Sequence, residues 1–168
     1  MPDMAPHPVT EYCIMPVSPF DLDNQLAYRR WAAAKRASHP THARDLVVNV
    51  GDPRTLSDAE VQALLQRCAG ANMAIYRSAV RVPDKDIPRL LGHQIGLFRL
   101  DGNWLADEDG ISQIAVAATA GDRTAFIPYT NRPIKWHTDG YYHPQSRQIR
   151  AMILHCVRAA SSGGSARR

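Results

Sequence analysis

Apolar positions along the first hundred residues alternate between helical spacing and short unbroken runs. Residues 1–20 carry several prolines and no period, so they read as an extended leader. From Asp21 to Ser38, Leu22, Leu26, Trp31 and Ala33 give a partial apolar face, and His39-Pro40 closes the predicted helix. Leu46 to Val50 is short, apolar and rich in β-branched residues, which predicts a strand. Ser57 and Glu60 form the S-x-x-E pattern in which hydroxyl and carboxylate each satisfy an orphan N–H at a helix start. Val61, Leu64, Leu65 and Cys68 continue one helical face from there, and Gly70 offers a stop. Met73 to Tyr76 predicts a second strand, so a strand–helix–strand layer opens the chain.

The second half is less regular. Ile87, Leu90, Leu91 and Ile95 predict a short helix after Pro83, and Asp101 to Gly110 reads as an acidic surface loop. Ile114 to Ala118 and Thr124 to Ile127 predict two strands joined around Gly121-Asp122. Tyr129 to Pro133 reads as a loop. Ala151 to Val157 is strongly apolar, which predicts a sheet strand with Met152, Ile153, Leu154 and Val157 mostly buried. Ser161 to Arg168 is small and polar, and no internal repeat occurs.

Composition narrows the class. The chain has 168 residues, 45% hydrophobic and 21% charged, which suits one globular domain. No apolar run reaches the roughly 18 residues of a membrane span, and no basic start precedes an apolar stretch. A cytoplasmic protein without a membrane partner is expected. Cys13, Cys68 and Cys156 are odd in number and form no C-x-x-C pair, so they are read as buried free thiols rather than disulfides or zinc ligands. The net charge of +4 is uneven, with Arg29, Arg30, Lys35, Arg36 and Arg44 close together. Without a recognition motif this cluster reads as a solvated helix face, and a nucleic-acid partner is not expected.

One stretch carries chemistry: Trp136-His137-Thr138-Asp139-Gly140-Tyr141-Tyr142-His143-Pro144. His137 and Asp139 are two apart, and in extended backbone such residues share a face. An imidazole and a carboxylate on one face are two-thirds of the two-His, one-carboxylate triad that holds Fe(II) and leaves open positions for co-substrate and O₂. The same spacing also describes a hydrogen-bonded pair at a strand edge, and short motifs recur by chance. Tyr141 and Tyr142 read either as pocket lining or as ordinary exposed or core aromatics. No G-x-S-x-G, P-loop or G-x-G-x-x-G pattern is present.

The wider context adds a resemblance. Tyr129-Thr130-Asn131-Arg132-Pro133-Ile134-Lys135-Trp136-His137-Thr138-Asp139 resembles the taurine dioxygenase-like (TauD/TfdA) family, in which W-H-x-D opens the iron site. Ile149 to Arg158 is similar to that family's next core strand, and Ser162-Gly163-Gly164 to its Gly-Gly turn. Upstream, Leu56 to Glu60 and Ile75-Tyr76-Arg77 resemble its N-terminal helix and strand. The resemblance divides the chain into a leader with a basic helix at 1–44 and the N-terminal part of a dioxygenase domain at 45–168. It implies a partial double-stranded β-helix, or jelly roll, with flanking helices. It further implies Fe(II), with 2-oxoglutarate as co-substrate and a small organic molecule as substrate. His137 and Asp139 are then the first two iron ligands and the catalytic residues, while Thr138 faces away and is structural.

Departures from the family pattern bear on activity. The resemblance places a second ligand histidine and a co-substrate-pairing arginine far downstream, past Arg168. Only His143 and His155 follow Asp139. His143 falls in a predicted loop, and His155 on the apolar strand reads as a hydrogen-bonded core or interface histidine. Ser165 and Ala166, then Arg167-Arg168, stand where the family carries an acidic residue and then Thr or Asn, which reads as a truncated or frame-shifted terminus. The chain alone is therefore expected to be an inactive dioxygenase. The alternative is a catalytically inactive remnant or binding module of the same fold, acting through open sheet edges. Such edges would also favour association into a homo-oligomer.

Overall fold

The computed structural model describes residues 18–102, 105–116, 122–135 and 137–160. Trp136, Ser162-Gly163-Gly164, Cys13 and Ala117-Ala118, all invoked above, lie outside them.

Helix α1 spans Gln25–Ser38. It begins later than the apolar pattern predicts because residues 18–24 close local turns instead, with Asn24 N–H donating to the Asp21 carbonyl. The Asn24 side chain then caps the helix by accepting from Ala27 N–H at 3.0 Å. It stops at His39, which the following proline holds in extended backbone.

Strands β1 (Val47–Val50) and β2 (Ile75–Ser78) pair in parallel, Val48 against Tyr76 and Val50 against Ser78. Parallel neighbours need a crossover, and helix α2 (Asp58–Ala71) supplies it. Its start is the one the S-x-x-E pattern predicts. Ser57 N–H donates to Glu60 Oε2 at 2.7 Å, and Glu60 N–H donates back to Ser57 Oγ. Glu60 Oε1 also accepts from Gly51 N–H at 2.8 Å, which ties the cap to the end of β1. Ser57→Ala is expected to cost about 1 kcal/mol, read as a lower urea midpoint at unchanged slope.

The end of α2 differs from expectation. The helix runs through Gly70, and Asn72 takes the left-handed conformation (φ 60°) that closes it. Lys35 of α1 reaches this end and donates from Nζ to the carbonyls of Ala69 (2.6 Å) and Gly70 (3.1 Å) and to Asn72 Oδ1 (3.0 Å). A cation on the unsatisfied carbonyls of a helix C-terminus is favourable on both hydrogen-bonding and dipole grounds. The basic cluster thus spends one of its charges on structure.

Val48, Val50 and Leu64 form the core, with Leu56, Ala63, Ala74, Tyr76 and Ile95 packed around it. The inner face of α2 is narrower than predicted: Leu64 is buried and Val61 half-buried, but Leu65 and Cys68 are exposed. Helix α3 (Ile87–Gln94) buries Ile87 and Leu91. Its last residue clasps the turn before α2: Gln94 Nε2 donates to the Pro53 carbonyl, and Leu56 N–H donates to Gln94 Oε1.

Beyond α3 the expected strands do not form among the described residues. Thr124 to Ile127 lies in two short 3₁₀ turns, Asp122–Ala125 and Ile127–Tyr129. Pro128 fixes φ and lacks an N–H, so the run turns rather than joining a ladder. Residues 114–116 and 151–157 form no strand either, and Met152, Leu154 and Val157 are exposed rather than buried. Apolar content alone predicts burial on both faces, but a ladder needs a partner backbone. Cys68 and Cys156 are exposed, not buried. The described residues form a β-α-β unit with flanking helices and no clear jelly roll.

Ion pairs secure this second half. Lys85 Nζ lies 2.8 Å from Asp107 Oδ2 and 2.7 Å from Asp109 Oδ2, and Arg123 reaches Asp107 at 3.2 Å. The Arg123 guanidinium also sits 5.4 Å above the ring of the buried Tyr129. Arg147 pairs with Asp101 at 2.8 Å. These contacts hold the carboxyls of Asp101, Asp107 and Asp109 below their ordinary range. Hydrogen bonds from Arg54 lower Asp52 from 3.8 to about 2. Each folded-state value is depressed, so the unfolded chain binds more protons in acid. The associated stability is complete above pH 3.8 and drains away as pH falls toward 2. Thermal midpoints are expected to drop across that window, and Asp52→Asn to flatten the drop.

Candidate functional site

His137 and Asp139 follow the loop at 130–135 and lead into a tight turn. Gly140 has φ +64°, and His143 N–H donates to its carbonyl at 2.9 Å. A Cβ at Gly140 would lie 2.5 Å from Ile149 Cδ1 and 2.9 Å from His143 Cδ2. Both the left-handed backbone and the close approach of Ile149 therefore call for glycine here.

The structure brings the two predicted ligands together. His137 Nε2 faces Asp139 Oδ1 at 3.5 Å, and the two side chains are 46% and 49% exposed. His137 Nδ1 lies 2.7 Å from the Lys135 carbonyl oxygen. A carbonyl only accepts, so Nδ1 carries the proton and donates, leaving the Nε2 lone pair turned toward the carboxylate. Metal-binding imidazoles are commonly oriented this way, with the second nitrogen donating to a backbone carbonyl. Two ligands about 2.1 Å from one ion and at right angles sit roughly 3 Å apart. The observed separation is close to that, so the donor set fits a divalent cation. The same pair, with a proton between its nearest atoms, is an ordinary surface ion pair.

No group of three or more His, Cys, Asp or Glu side chains able to hold a metal occurs among the described residues. His143 stays beside its own turn, its ring 4.7 Å from that of Tyr142. Tyr141 and Tyr142 pack edge to face and are largely exposed, so they line no enclosed pocket. His155 is engaged elsewhere. Its ring stacks on Tyr76 of β2 with planes 5° apart, and its Nδ1 shares a hydrogen bond with the Tyr76 hydroxyl. Partial burial, with Cys156 nearby, raises the Tyr76 phenol above its ordinary value.

Two participants are missing from the sequence reading. The Lys135 carbonyl that orients His137 is backbone, which residue identity does not reveal. Tyr76 is 79 positions from His155, and no local pattern joins them. Among the described residues no helix is long and apolar enough to cross a membrane. No protein-family model, curated protein or solved structure matches this chain.

Proposed function

We propose that His137 and Asp139 are two ligands of an Fe(II) centre in a 2-oxoglutarate-dependent dioxygenase of the taurine dioxygenase-like type, built on a jelly-roll scaffold. One observation carries this reading: His137 Nε2 and Asp139 Oδ1 converge at 3.5 Å while the Lys135 carbonyl takes the proton of Nδ1. The W-H-x-D context supports iron over other divalent ions. When bound, such a centre couples decarboxylation of 2-oxoglutarate to oxidation of a C–H bond in a small organic substrate. The chain's part is to hold one imidazole in the correct tautomer and to offer one carboxylate beside it. Their exposure leaves room for a chelating co-substrate.

Two ligands bind more weakly than three, and the resemblance puts the arginine that clamps the distal carboxylate of 2-oxoglutarate downstream of Arg168. Anaerobic Fe(II) titration of the purified chain is expected to show weak binding that His137→Ala and Asp139→Ala each abolish and His155→Ala leaves intact. With Fe(II), ascorbate and 2-oxoglutarate, the chain alone is expected to make no succinate above a no-protein control. Fe(II) binding indifferent to both substitutions would overturn the metal reading. Succinate formation that disappears in His143→Ala or His155→Ala would show that one of these supplies a third ligand.

A second reading, a non-catalytic binding module, is favoured by the lack of any three-ligand group among the described residues. It predicts weak Fe(II) binding or none.

A further inference from the structure

Two buried side chains anchor different parts of the chain. Ile87 starts α3, and Tyr129 ends the second 3₁₀ turn. A run of charged contacts connects them. Lys85 lies two positions before Ile87, and its Nζ donates to Asp107 Oδ2 at 2.8 Å. Arg123 donates to Asp107 Oδ1 at 3.2 Å while its guanidinium covers the Tyr129 ring. Asp107 is therefore engaged on both oxygens, one toward each anchor. Its own turn holds it in place. Gly110 N–H donates to the Asp107 carbonyl at 2.8 Å, and Gly110 takes φ +77°, which glycine adopts without strain. The same turn brings Asp109 Oδ2 to within 2.7 Å of Lys85 Nζ.

Exposure decides how firmly these contacts hold. The side chains of Lys85, Asp107, Asp109 and Arg123 are 31% to 46% exposed. Charges so placed gain little over their hydration, and dissolved salt screens them. Elements held by contacts of this kind open locally, well before the whole fold does. Arg123 adds a consequence. Once its carboxylate partner is lost, the guanidinium is freer to leave the ring it covers, and the two 3₁₀ turns lose this tie to α3.

We propose that Asp107 is the pin of a salt-sensitive joint. Closed, it fastens the turns Asp122–Ala125 and Ile127–Tyr129 to the start of α3; opened, it lets them fluctuate while the β-α-β unit stays folded. The loop at 130–135 that leads to His137 continues from these turns, so the joint sets how firmly that loop is rooted. The inference rests on the ion pairs and not on the metal pair, so it stands under either functional reading.

Amide hydrogen exchange of the full chain, resolved by residue, tests it. Phe126, Tyr129 and Thr130 N–H donate to carbonyls within these turns and report on the joint, while β1 and β2 report on the folded unit. Raising NaCl from about 0.1 M to about 1 M shortens the screening length from about 10 Å to about 3 Å. Exchange at the three reporters is expected to quicken about five-fold, with β1 and β2 changing by less than about two-fold. Asp107→Asn is expected to give the same increase at low salt and to lose most of the further response to salt. Arg123→Met is expected to add little in the Asp107→Asn background, because both changes remove one contact. Reporters that do not respond to Asp107→Asn, or a salt response that survives it in full, would overturn the inference. So would an equal rise in β1 and β2, which would make these ion pairs supports of the whole fold and not a joint.

Discussion

Leu64→Ala is expected to lower the stability of the fold by about 3 kcal/mol. Leu64 is 4% exposed and is the side chain by which α2 closes onto Val48 and Val50 of β1. Removing its three outer carbons takes away transfer free energy and leaves a cavity that a parallel β-α-β unit closes only in part. Compensation is limited, because the core is small and Leu64 is the fully buried side chain of α2. Total stabilities of domains are commonly about 5–15 kcal/mol, so a large share is lost. Urea unfolding followed by far-ultraviolet circular dichroism checks this: the midpoint is expected to fall while the slope stays the same. Leu65→Ala, on the exposed side of the same turn, is expected to change the midpoint by much less.

Gly140→Ala is expected to disturb the metal pair without unfolding the core. Alanine at φ +64° carries a backbone penalty of roughly 1–2 kcal/mol. Its Cβ would also press on Ile149, 2.5 Å from Cδ1 and 2.8 Å from Cγ1. The turn must open or Ile149 must leave, and either moves Asp139, the residue immediately before. Fe(II) affinity is therefore expected to fall. Two controls separate the causes. Gly140→Asn relieves backbone strain but not crowding, since asparagine tolerates the left-handed region. Gly140→Ala in an Ile149→Ala background relieves the crowding by Ile149 but not the strain. If both controls bind Fe(II) as weakly as the single variant, either cause is sufficient alone.

The local signals in the sequence were read well where the physics is local. Ser57 and Glu60 announce the start of α2 because a capping box is complete within four consecutive residues. The first strand is legible for the same reason, being a short β-branched run, whereas the second starts and ends two residues later than its apolar run, at Ile75–Ser78, because pairing with Val47–Val50 sets its bounds. The inner face of α2 was read too wide, because a helical apolar pattern does not say how much sheet is available to cover it. Two strands cover Leu64 and leave Leu65 and Cys68 in solvent. Ala151 to Val157 fails as a strand for a related reason. Its residues are those of a core strand, but pairing is a property of two segments, and none of the described residues pairs with it. At the candidate site the i, i+2 spacing of His137 and Asp139 shows through as a 3.5 Å approach of the two side chains. The His155–Tyr76 contact was readable only in outline: a lone histidine in an apolar run needs a hydrogen-bond partner, and only the fold names it.

That contact also bears on the order of assembly. Tyr76 and His155 are 79 positions apart, whereas β1 and β2 are joined by a single helix. Closing a long loop loses more chain entropy than closing a short one, and long-range contacts form late. The unit from β1 to α3 can therefore take shape before residues 149–155 settle onto it. Amide protons are expected to show the same hierarchy, with β1 and β2 exchanging slowly and the backbone around Ile153 exchanging fast. The stretch around His155 is then a late guest on a scaffold that is already folded.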